Sequence, residues 1–277
     1  MELTPEKQYL DLLKKTLTFT LWPEPPIALK TFNYKRSPLK QLLYNVAEKV
    51  LESKGLFIAK KRNITLKGRL EGRVCLLACA DSMIGIERMN NLQACVESVL
   101  QENIPGDLIE TGVWRGGSCI LMRGVLAAYG IKDRRVWVAD SFAGLPPPDV
   151  EKYPADAGSR MHELTYLAVS QTEVAGNFEK YGLLDEQVVF LPGRFEATLP
   201  GAPIEKLAVL RLDGDMYSST ICSLQHLYPK LSSGGYCIID DYALSACKQA
   251  VDDYRRQNNI TAPLMAIDWT GHYWRKD

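Results

Sequence analysis

The chain has 277 residues, of which 46% are hydrophobic and 24% are charged. This composition is typical of a globular protein with one large α/β domain and room for a small additional segment. The 33 basic residues balance the 33 acidic residues, so no net field attracts the protein to nucleic acid or to an anionic membrane. Both classes of partner are therefore disfavoured.

Targeting signals and cysteine usage point to the same compartment. The N-terminus lacks the basic and apolar regions of a secretory signal, and no run of 18 apolar residues occurs. Seven cysteines are scattered in apolar surroundings without a CxxC pair, and three histidines are too few and too far apart for a shared zinc site. We expect a cytoplasmic protein with reduced, mostly buried thiols.

The first 80 residues differ in kind from the rest of the chain. A Lys-rich amphipathic start is followed by a Pro-punctuated loop at 22–26 and by a helical pattern around 39–56. We interpret residues 1–80 as an N-terminal helical cap over a cleft and residues 81–277 as the catalytic domain. A further helix at 83–101 leads into the first strand of that domain.

From about residue 106, short apolar runs alternate with helical patterns, which predicts a parallel sheet covered by helices. These runs lie at 107–113, 135–141, 188–195, 207–213 and 235–241. The tail at 263–275 contains two extended runs joined at Thr270-Gly271, which predicts a hairpin at the sheet edge. Polar residues at the carboxyl ends of the parallel strands should converge on one crevice.

The stretch from Asp107 to Ser118 is a buried strand followed by a Gly-rich turn that opens a helix. Glycines at 112, 116 and 117 allow the backbone to approach a ligand closely, but their spacing departs from the dinucleotide fingerprint. Glu110 precedes the turn and could face the positive end of a cationic ligand. The pattern therefore favours a cationic ligand over NAD, and a plain strand-to-helix turn is the structural alternative.

The second strand ends in Ala139-Asp140-Ser141-Phe142, about 28 residues after the turn glycine. In this position α/β folds place a carboxylate that accepts from ribose hydroxyls. Asp140 is therefore a candidate ribose ligand, although surface aspartates also end strands. Phe142 could stack on a purine or belong to the core.

Four carboxylates follow two neighbouring strands of the predicted sheet. Asp213 and Asp215 end one strand, and Asp240 and Asp241 end the next. Such a group repels itself unless a cation or protonation relieves it, and oxygen ligands suit Mg²⁺. Alternatively, Asp215 and Asp241 could cap the helices that follow them. We favour a magnesium site that would orient a hydroxyl group, with a further carboxylate as general base.

Several segments in the right order resemble the macrocin O-methyltransferase (TylF-type) family. They are LIETGVWRGG at 108–117, ADSFAGLP at 139–146, LDGDMY at 212–217, IDDY at 239–242, MIG at 83–85 and NLQ at 91–93. The resemblance covers roughly residue 81 to the C-terminus. GRFEATLP at 193–200 is similar to the family's stretch near the adenine, with Glu196-Ala197 where an aspartate is expected.

This resemblance implies a class I methyltransferase with a Rossmann-like, mostly parallel seven-stranded sheet and an antiparallel C-terminal hairpin. Its members use S-adenosylmethionine and Mg²⁺ to methylate sugar hydroxyls of natural products, and a homodimer or larger assembly is expected. The implied metal ligands are Asp213, Asp240 and Asp241, with Asp215 as base and Asp213 as its catalytic partner. The implied cofactor contacts are Glu110, Thr111, Gly112, Val113, Gly117, Ser118, Asp140, Ser141 and Phe142.

Three other functions compete with a sugar O-methyltransferase. A metal-dependent O-methyltransferase of a phenol or catechol would need the same carboxylates beside an aromatic-lined pocket. A non-catalytic S-adenosylmethionine-binding protein would not need intact carboxylates at two strand ends. An NAD-dependent oxidoreductase is disfavoured by the glycine spacing.

Overall fold

A seven-stranded mixed sheet forms the centre of the molecule, in a computed structural model that describes residues 4–29, 37–61, 63–74 and 77–277. Its strand order is β5-β4-β3-β6-β7-β9-β8. The strands are β3 (Asp107–Thr111), β4 (Val136–Asp140), β5 (Val188–Pro192), β6 (Leu207–Leu212), β7 (Leu231–Ile239), β8 (Met265–Ala266) and β9 (His272–Arg275). A separate two-stranded sheet pairs β1 (Ile27–Ala28) with β2 (Ala59–Lys60).

Helices cover both faces of the large sheet, as the alternation of apolar runs and helical patterns predicts. The α-helices of the described residues are α1 (Pro5–Leu17), α2 (Pro38–Glu52), α3 (Leu66–Leu70), α4 (Ile86–Gln101), α5 (Gly117–Ala128), α6 (Gln171–Lys180), α7 (Phe195–Thr198), α8 (Tyr217–Leu227) and α9 (Ser245–Gln257), of which α2 buries no side chain. Among the described helices, none is both long and apolar enough to cross a membrane.

Strands β5, β4, β3, β6 and β7 pair in parallel, whereas β9 pairs antiparallel with both β7 and β8. The predicted sheet class and C-terminal hairpin are therefore confirmed. The chain order reverses between β3 and β6, and at such a point the connections leave in opposite directions and open a crevice. The carboxyl ends of β3, β6 and β7 consequently surround this crevice.

The N-terminal helix does not match the expected cap over residues 1–80. Leu10, Leu13 and Leu17 of α1 are buried in the same core as α4 and α5. Their spacing places three leucines on one helix face, and that face packs against α5. Helix α1 therefore packs into the core that it shares with α4 and α5, and the division of the chain at residue 80 stays a prediction.

The cysteines agree in part with the expectation of buried thiols. All six described cysteines are free, and five of them are buried. Cys79 is exposed, and Cys75 lies outside the described residues. The scattered cysteines therefore contribute small apolar side chains to the core, as unpaired buried thiols generally do.

Candidate active site

Two cavities meet at the carboxyl ends of β3, β6 and β7. The first encloses about 710 Å³, including its open mouth, and lies beside the β3–α5 turn and the end of β4. The second encloses about 1030 Å³ on the same basis and reaches towards the N-terminal residues and the C-terminal hairpin. Asp213, Asp215, Met83 and Trp114 line both cavities. Two ligands bound in these cavities would therefore meet at the carboxylates.

The turn between β3 and α5 forms one wall of the first cavity. Gly112 has a φ of 87°, and Gly116 caps α5 with a φ of 88°. A side chain at Gly112 would collide with the carbonyl oxygen of Asp213, because the turn lies directly against β6. Glycine is thus required at position 112 by both backbone conformation and close packing.

Asp140 faces the first cavity from the end of β4. Its oxygens accept hydrogen bonds from the backbone N–H groups of Val113 and Phe142, each at 2.7 Å. Burial raises the pKa of Asp140, and these two bonds act in the opposite direction. A carboxylate has about four acceptor positions, so the group is fixed in place and can still accept from a ligand hydroxyl.

Three carboxylates converge where the two cavities join. Asp213, Asp240 and Asp241 each offer an oxygen, and these oxygens lie within 4.8 Å of one another. Asp213 and Asp241 are partly exposed to the cavity, whereas Asp240 is buried. The predicted grouping of carboxylates from two neighbouring strands is therefore present in the fold, and the donor set consists of oxygen atoms alone.

Two buried arginines hold part of this cluster. Arg211 on β6 pairs with Glu110, Asp213 and Asp240, the contact to Asp213 being 2.7 Å. Arg88 on α4 pairs with the other oxygen of Asp240 and, at 3.0 Å, with Asp268. Asp240 is consequently clamped from both sides, and its orientation does not depend on any other ligand.

Asp215 and Asp241 form the less compensated side of the cluster. The backbone N–H of Asp215 donates to Asp241 at 3.1 Å, and Asp215 has a left-handed φ of 60°. Burial and the charges of Asp213 and Asp240 raise the pKa of Asp215 to about 7. Burial, Asp215 and Asp213 raise the pKa of Asp241 well above its usual value. The excess negative charge therefore faces the junction of the cavities.

Not all of the predicted cofactor residues line these cavities. Gly112, Asp140 and Ser141 line the first, whereas Glu110, Val113 and Ser118 line the second. The carboxylate of Glu110 pairs with Arg211 and accepts from the thiol of Cys119 at 3.0 Å. The structure therefore assigns this carboxylate as a counter-ion of Arg211.

Thr111, Gly117 and Phe142 are not among the residues that line either cavity, and their predicted contacts with the cofactor stay a prediction. The side chain of Thr111 is buried, and its hydroxyl has no hydrogen-bond partner among the described residues. Gly117 packs against the backbone of Asp81, and its N–H donates to that carbonyl at 3.0 Å. The ring of Phe142 packs 6.0 Å from that of Phe190. These residues support the turn and the core.

Several residues of the site were not singled out by the sequence patterns. Arg88 lies on a helix remote in sequence from the carboxylates, and nothing local marks it. Arg211 had a recognisable signal, because a charged residue inside the apolar run 207–212 needs a buried partner. Glu196, which the family resemblance places in the stretch near the adenine, lines the first cavity.

The sequence matches a known protein family over almost its whole length. A family model described as "Macrocin-O-methyltransferase (TylF)" matches residues 6–276. The chain belongs to the TylF family. The match begins within α1 and not near residue 81, in agreement with the packing of that helix into the main core.

Curated TylF relatives are similar over most of the chain. A Streptomyces olivaceus 8-demethyl-8-(2,3-dimethoxy-alpha-L-rhamnosyl)-tetracenomycin-C 4'-O-methyltransferase is 48% identical over 268 residues, covering 96% of this chain and 92% of the relative. The mycinamicin III 3''-O-methyltransferase of Micromonospora griseorubida is 53% identical over 200 residues, covering 71% and 79%. The chain is therefore an O-methyltransferase, and its family implies S-adenosylmethionine as methyl donor.

A solved O-methyltransferase structure is similar to this chain in both fold and sequence. The O-methyltransferase NovP superposes with a TM-score of 0.82 and 45% identity, covering 98% of this chain and 99% of NovP. The predicted family and the enzyme class are confirmed. The alternatives of a non-catalytic binding protein and an NAD-dependent oxidoreductase are wrong.

Proposed function

We propose that this TylF protein is an S-adenosylmethionine- and Mg²⁺-dependent O-methyltransferase that acts on a sugar hydroxyl of a small-molecule natural product. The observation that carries the proposal is the convergence of three carboxylates, with oxygens within 4.8 Å, at the junction of two cavities. One cavity suits the methyl donor and the other suits the acceptor. Transfer between two bound substrates requires this kind of juxtaposition.

The first cavity fits S-adenosylmethionine in both size and chemistry. Ligand sites commonly enclose about 300–1,000 Å³, and this cavity combines the Gly112 turn with the fixed carboxylate of Asp140. Asp140 would accept from the ribose hydroxyls, and Ser141 lies beside it. S-adenosylmethionine supplies an activated methyl group. The S–C bond to this group breaks as the new O–C bond forms, and the sulfur keeps the electron pair.

The carboxylate cluster fits a hard divalent cation such as Mg²⁺. Asp213, Asp240 and Asp241 offer oxygen donors, and Asp241 is the member whose side chain has no cationic partner among the described ion pairs. Two arginines neutralise the Asp240 side of the cluster, which leaves the Asp241 side for a metal. A bound Mg²⁺ would supply Lewis acidity that lowers the pKa of the acceptor hydroxyl.

Asp215 is the proposed general base. It lines both cavities, so its carboxylate can reach a hydroxyl held in the second cavity and aligned with a donor in the first. Its raised pKa, about 7, suits a group that takes a proton near neutral pH. The hydroxyl proton moves to Asp215 as the oxygen gains the methyl group.

The second cavity suits an acceptor with a polar ring and an apolar body. Carboxylates form one end, and apolar side chains including Met161, Leu164 and Leu244 form the walls. The relative from Streptomyces olivaceus is named for a rhamnosyl-tetracenomycin and that from Micromonospora griseorubida for mycinamicin III. We infer that the sugar hydroxyl lies at the carboxylates and the aglycone lies against the apolar wall.

An acceptor panel tests the sugar assignment against the phenol alternative. The enzyme would be incubated with S-adenosylmethionine, Mg²⁺ and either methyl α-L-rhamnopyranoside, rhamnosylated aromatic glycosides or catechol, and products would be analysed by mass spectrometry. We expect methylated glycosides, no methylated catechol and loss of product in EDTA. Methylation of catechol alone would replace the sugar proposal with the phenol alternative.

We also propose a homo-oligomer, on the evidence of α2. Five apolar residues at helical spacing form one stripe on this helix and are between 53% and 67% exposed. They are Leu39, Leu42, Leu43, Val46 and Val50. Residues 30–73 contain twelve basic and three acidic residues, so the other residues carry 21 basic and 30 acidic side chains.

A second copy of the chain offers a complementary surface to this segment. An exposed apolar stripe is commonly covered in an assembly, and the basic segment would face the acidic remainder of a partner copy. Sedimentation velocity is expected to give a dimer or larger species for the wild type and a monomer for Leu43→Glu. Asn45→Asp, which adds the same negative charge to α2 outside the apolar stripe, serves as the control, and an unchanged Leu43→Glu assembly would contradict the proposed interface.

A further inference from the structure

The segment between β4 and α6, residues 141–170, contributes walls to both cavities; we name it the cleft loop. Its first part places Leu145 and Pro146 in the first cavity. Its last part places Met161 and Leu164 in the second cavity, and Leu167 lines both. Asp156 lies between these two parts, in a single turn of 3-10 helix at Pro154–Asp156.

Asp156 is buried, with 1% of its surface exposed, although it lies in a long surface connection. Its two carboxylate oxygens accept from the backbone N–H groups of Tyr217, at 2.7 Å, and Ser218, at 3.0 Å. These are the first two residues of α8. Each carboxylate oxygen thus satisfies one of two otherwise free N–H groups. Asp156 therefore caps α8 from a distant segment of the chain.

Helix α8 lacks a cap of its own. Met216 occupies the N-cap position, and its side chain makes no capping hydrogen bond. Asp156 therefore supplies both the acceptors and the negative charge that favour the N-terminus of this helix. The ring of Tyr153 packs 6.1 Å from that of Tyr217, so the cleft loop contacts α8 through an aromatic side chain as well.

The capped end of α8 directly follows the turn that carries Asp215. Asp215 has a left-handed φ of 60°, which a non-glycine residue keeps only where the surroundings hold it. Asp241 holds the turn on one side by accepting from the N–H of Asp215. Asp156 holds the turn on the other side. It does so through the N–H groups of Tyr217 and Ser218, which begin two residues after Asp215.

We propose that Asp156 is a positioning residue for methyl transfer, which clamps the cleft loop to α8 and so fixes the cavity walls relative to Asp215. This inference rests on the proposed role of Asp215 as base. Asp156 itself lines neither cavity. It acts only by holding the cleft loop against α8. Loss of the clamp should loosen both segments together, because one carboxylate holds them.

Hydrogen exchange measured by mass spectrometry tests the clamp without an acceptor. In Asp156→Ala, exchange should rise about tenfold in peptides covering 145–168 and 214–220, and the affinity for S-adenosylhomocysteine should change by less than about threefold. Asp156→Asn keeps one acceptor oxygen and should give an intermediate rise. Asp149→Ala is the matched control, because the exposed Asp149 caps only Lys152 within the same loop.

Kinetics with a glycoside that the wild type methylates separate positioning from general stability. Asp156→Ala should lower kcat at least tenfold, with Asp156→Asn partly restoring it and Asp149→Ala matching the wild type. Increased exchange in only one of the two segments, or wild-type exchange in both, would overturn the clamp. If the wild type methylates no glycoside, the sugar proposal fails while the exchange data still decide the clamp. Should Asp156→Ala not fold, Asp156→Asn carries the test.

Discussion

Replacing Asp215 with asparagine is expected to lower turnover by about 10²- to 10⁴-fold, the usual contribution of a general base. The amide cannot take the hydroxyl proton, whereas the rest of the site keeps its geometry. Asparagine tolerates the left-handed φ of 60° that this position requires, so the turn should be retained. An alanine at this position would add backbone strain and confuse the interpretation.

Binding and turnover are measured on the same Asp215→Asn preparation. Calorimetry with S-adenosylhomocysteine should give an affinity within about threefold of the wild type, because Asp215 is one wall residue among many. Asp252→Asn, a surface carboxylate that pairs with Lys248, should leave both quantities unchanged. Wild-type turnover in Asp215→Asn would remove Asp215 as the base, and equal loss of cofactor binding would indicate a structural effect.

Asp241→Asn is expected to abolish measurable Mg²⁺ binding and to lower turnover at least about 10²-fold. Asp241 is the best single position for this test, because its loss leaves no arginine unpaired. Truncating Asp240 would instead remove one carboxylate partner from each of the buried arginines Arg211 and Arg88, and breaking a buried ion pair typically costs about 3–5 kcal/mol. The asparagine can still accept the N–H of Asp215.

The thermal stability of the metal-free protein should depend on the ionisation of this carboxylate cluster. Burial raises the pKa of Asp213 to about 6 and that of Asp215 to about 7, above the unfolded values near 3.9. The folded state therefore holds these protons more tightly, and its stability falls as the pH rises from about 4 to about 7. We expect a lower Tm at pH 8 than at pH 6, with recovery in Mg²⁺.

The same melting experiment distinguishes Asp241→Asn from the wild type. Asp241→Asn removes one negative charge, so its metal-free Tm at pH 8 should exceed that of the wild type and should not respond to Mg²⁺. Asp252→Asn should behave as the wild type. A wild-type Tm that ignores Mg²⁺ at pH 8, together with full activity in EDTA, would contradict a metal site at these carboxylates.

The sheet and the carboxylate cluster could be predicted because each depends on local pattern. Apolar runs of about four to eight residues mark buried parallel strands, and parallel strands bring their carboxyl ends to one edge. Asp213 and Asp240 follow directly from this rule. The family resemblance then adds the chemistry that the pattern alone leaves open.

Contacts between remote segments could not be predicted from the same patterns. Arg88 meets Asp240 across 152 positions, and Asp156 meets Ser218 across 62. Each pairing depends on how a helix or loop packs on the finished sheet, which no local spacing encodes. The burial of α1 was visible in the spacing of Leu10, Leu13 and Leu17, but the Lys-rich outer face of this helix suggested a solvent-exposed cap.

Calorimetric titration of the wild type with S-adenosylhomocysteine, followed by a rhamnosylated glycoside with and without Mg²⁺, tests whether two substrate cavities share the carboxylate cluster. We predict binding of S-adenosylhomocysteine in either condition, because the first cavity is formed without the metal, and glycoside binding only when Mg²⁺ is present. Absence of S-adenosylhomocysteine binding, or glycoside binding that is unaffected by Mg²⁺ removal, would contradict the account of the two cavities and their shared carboxylates.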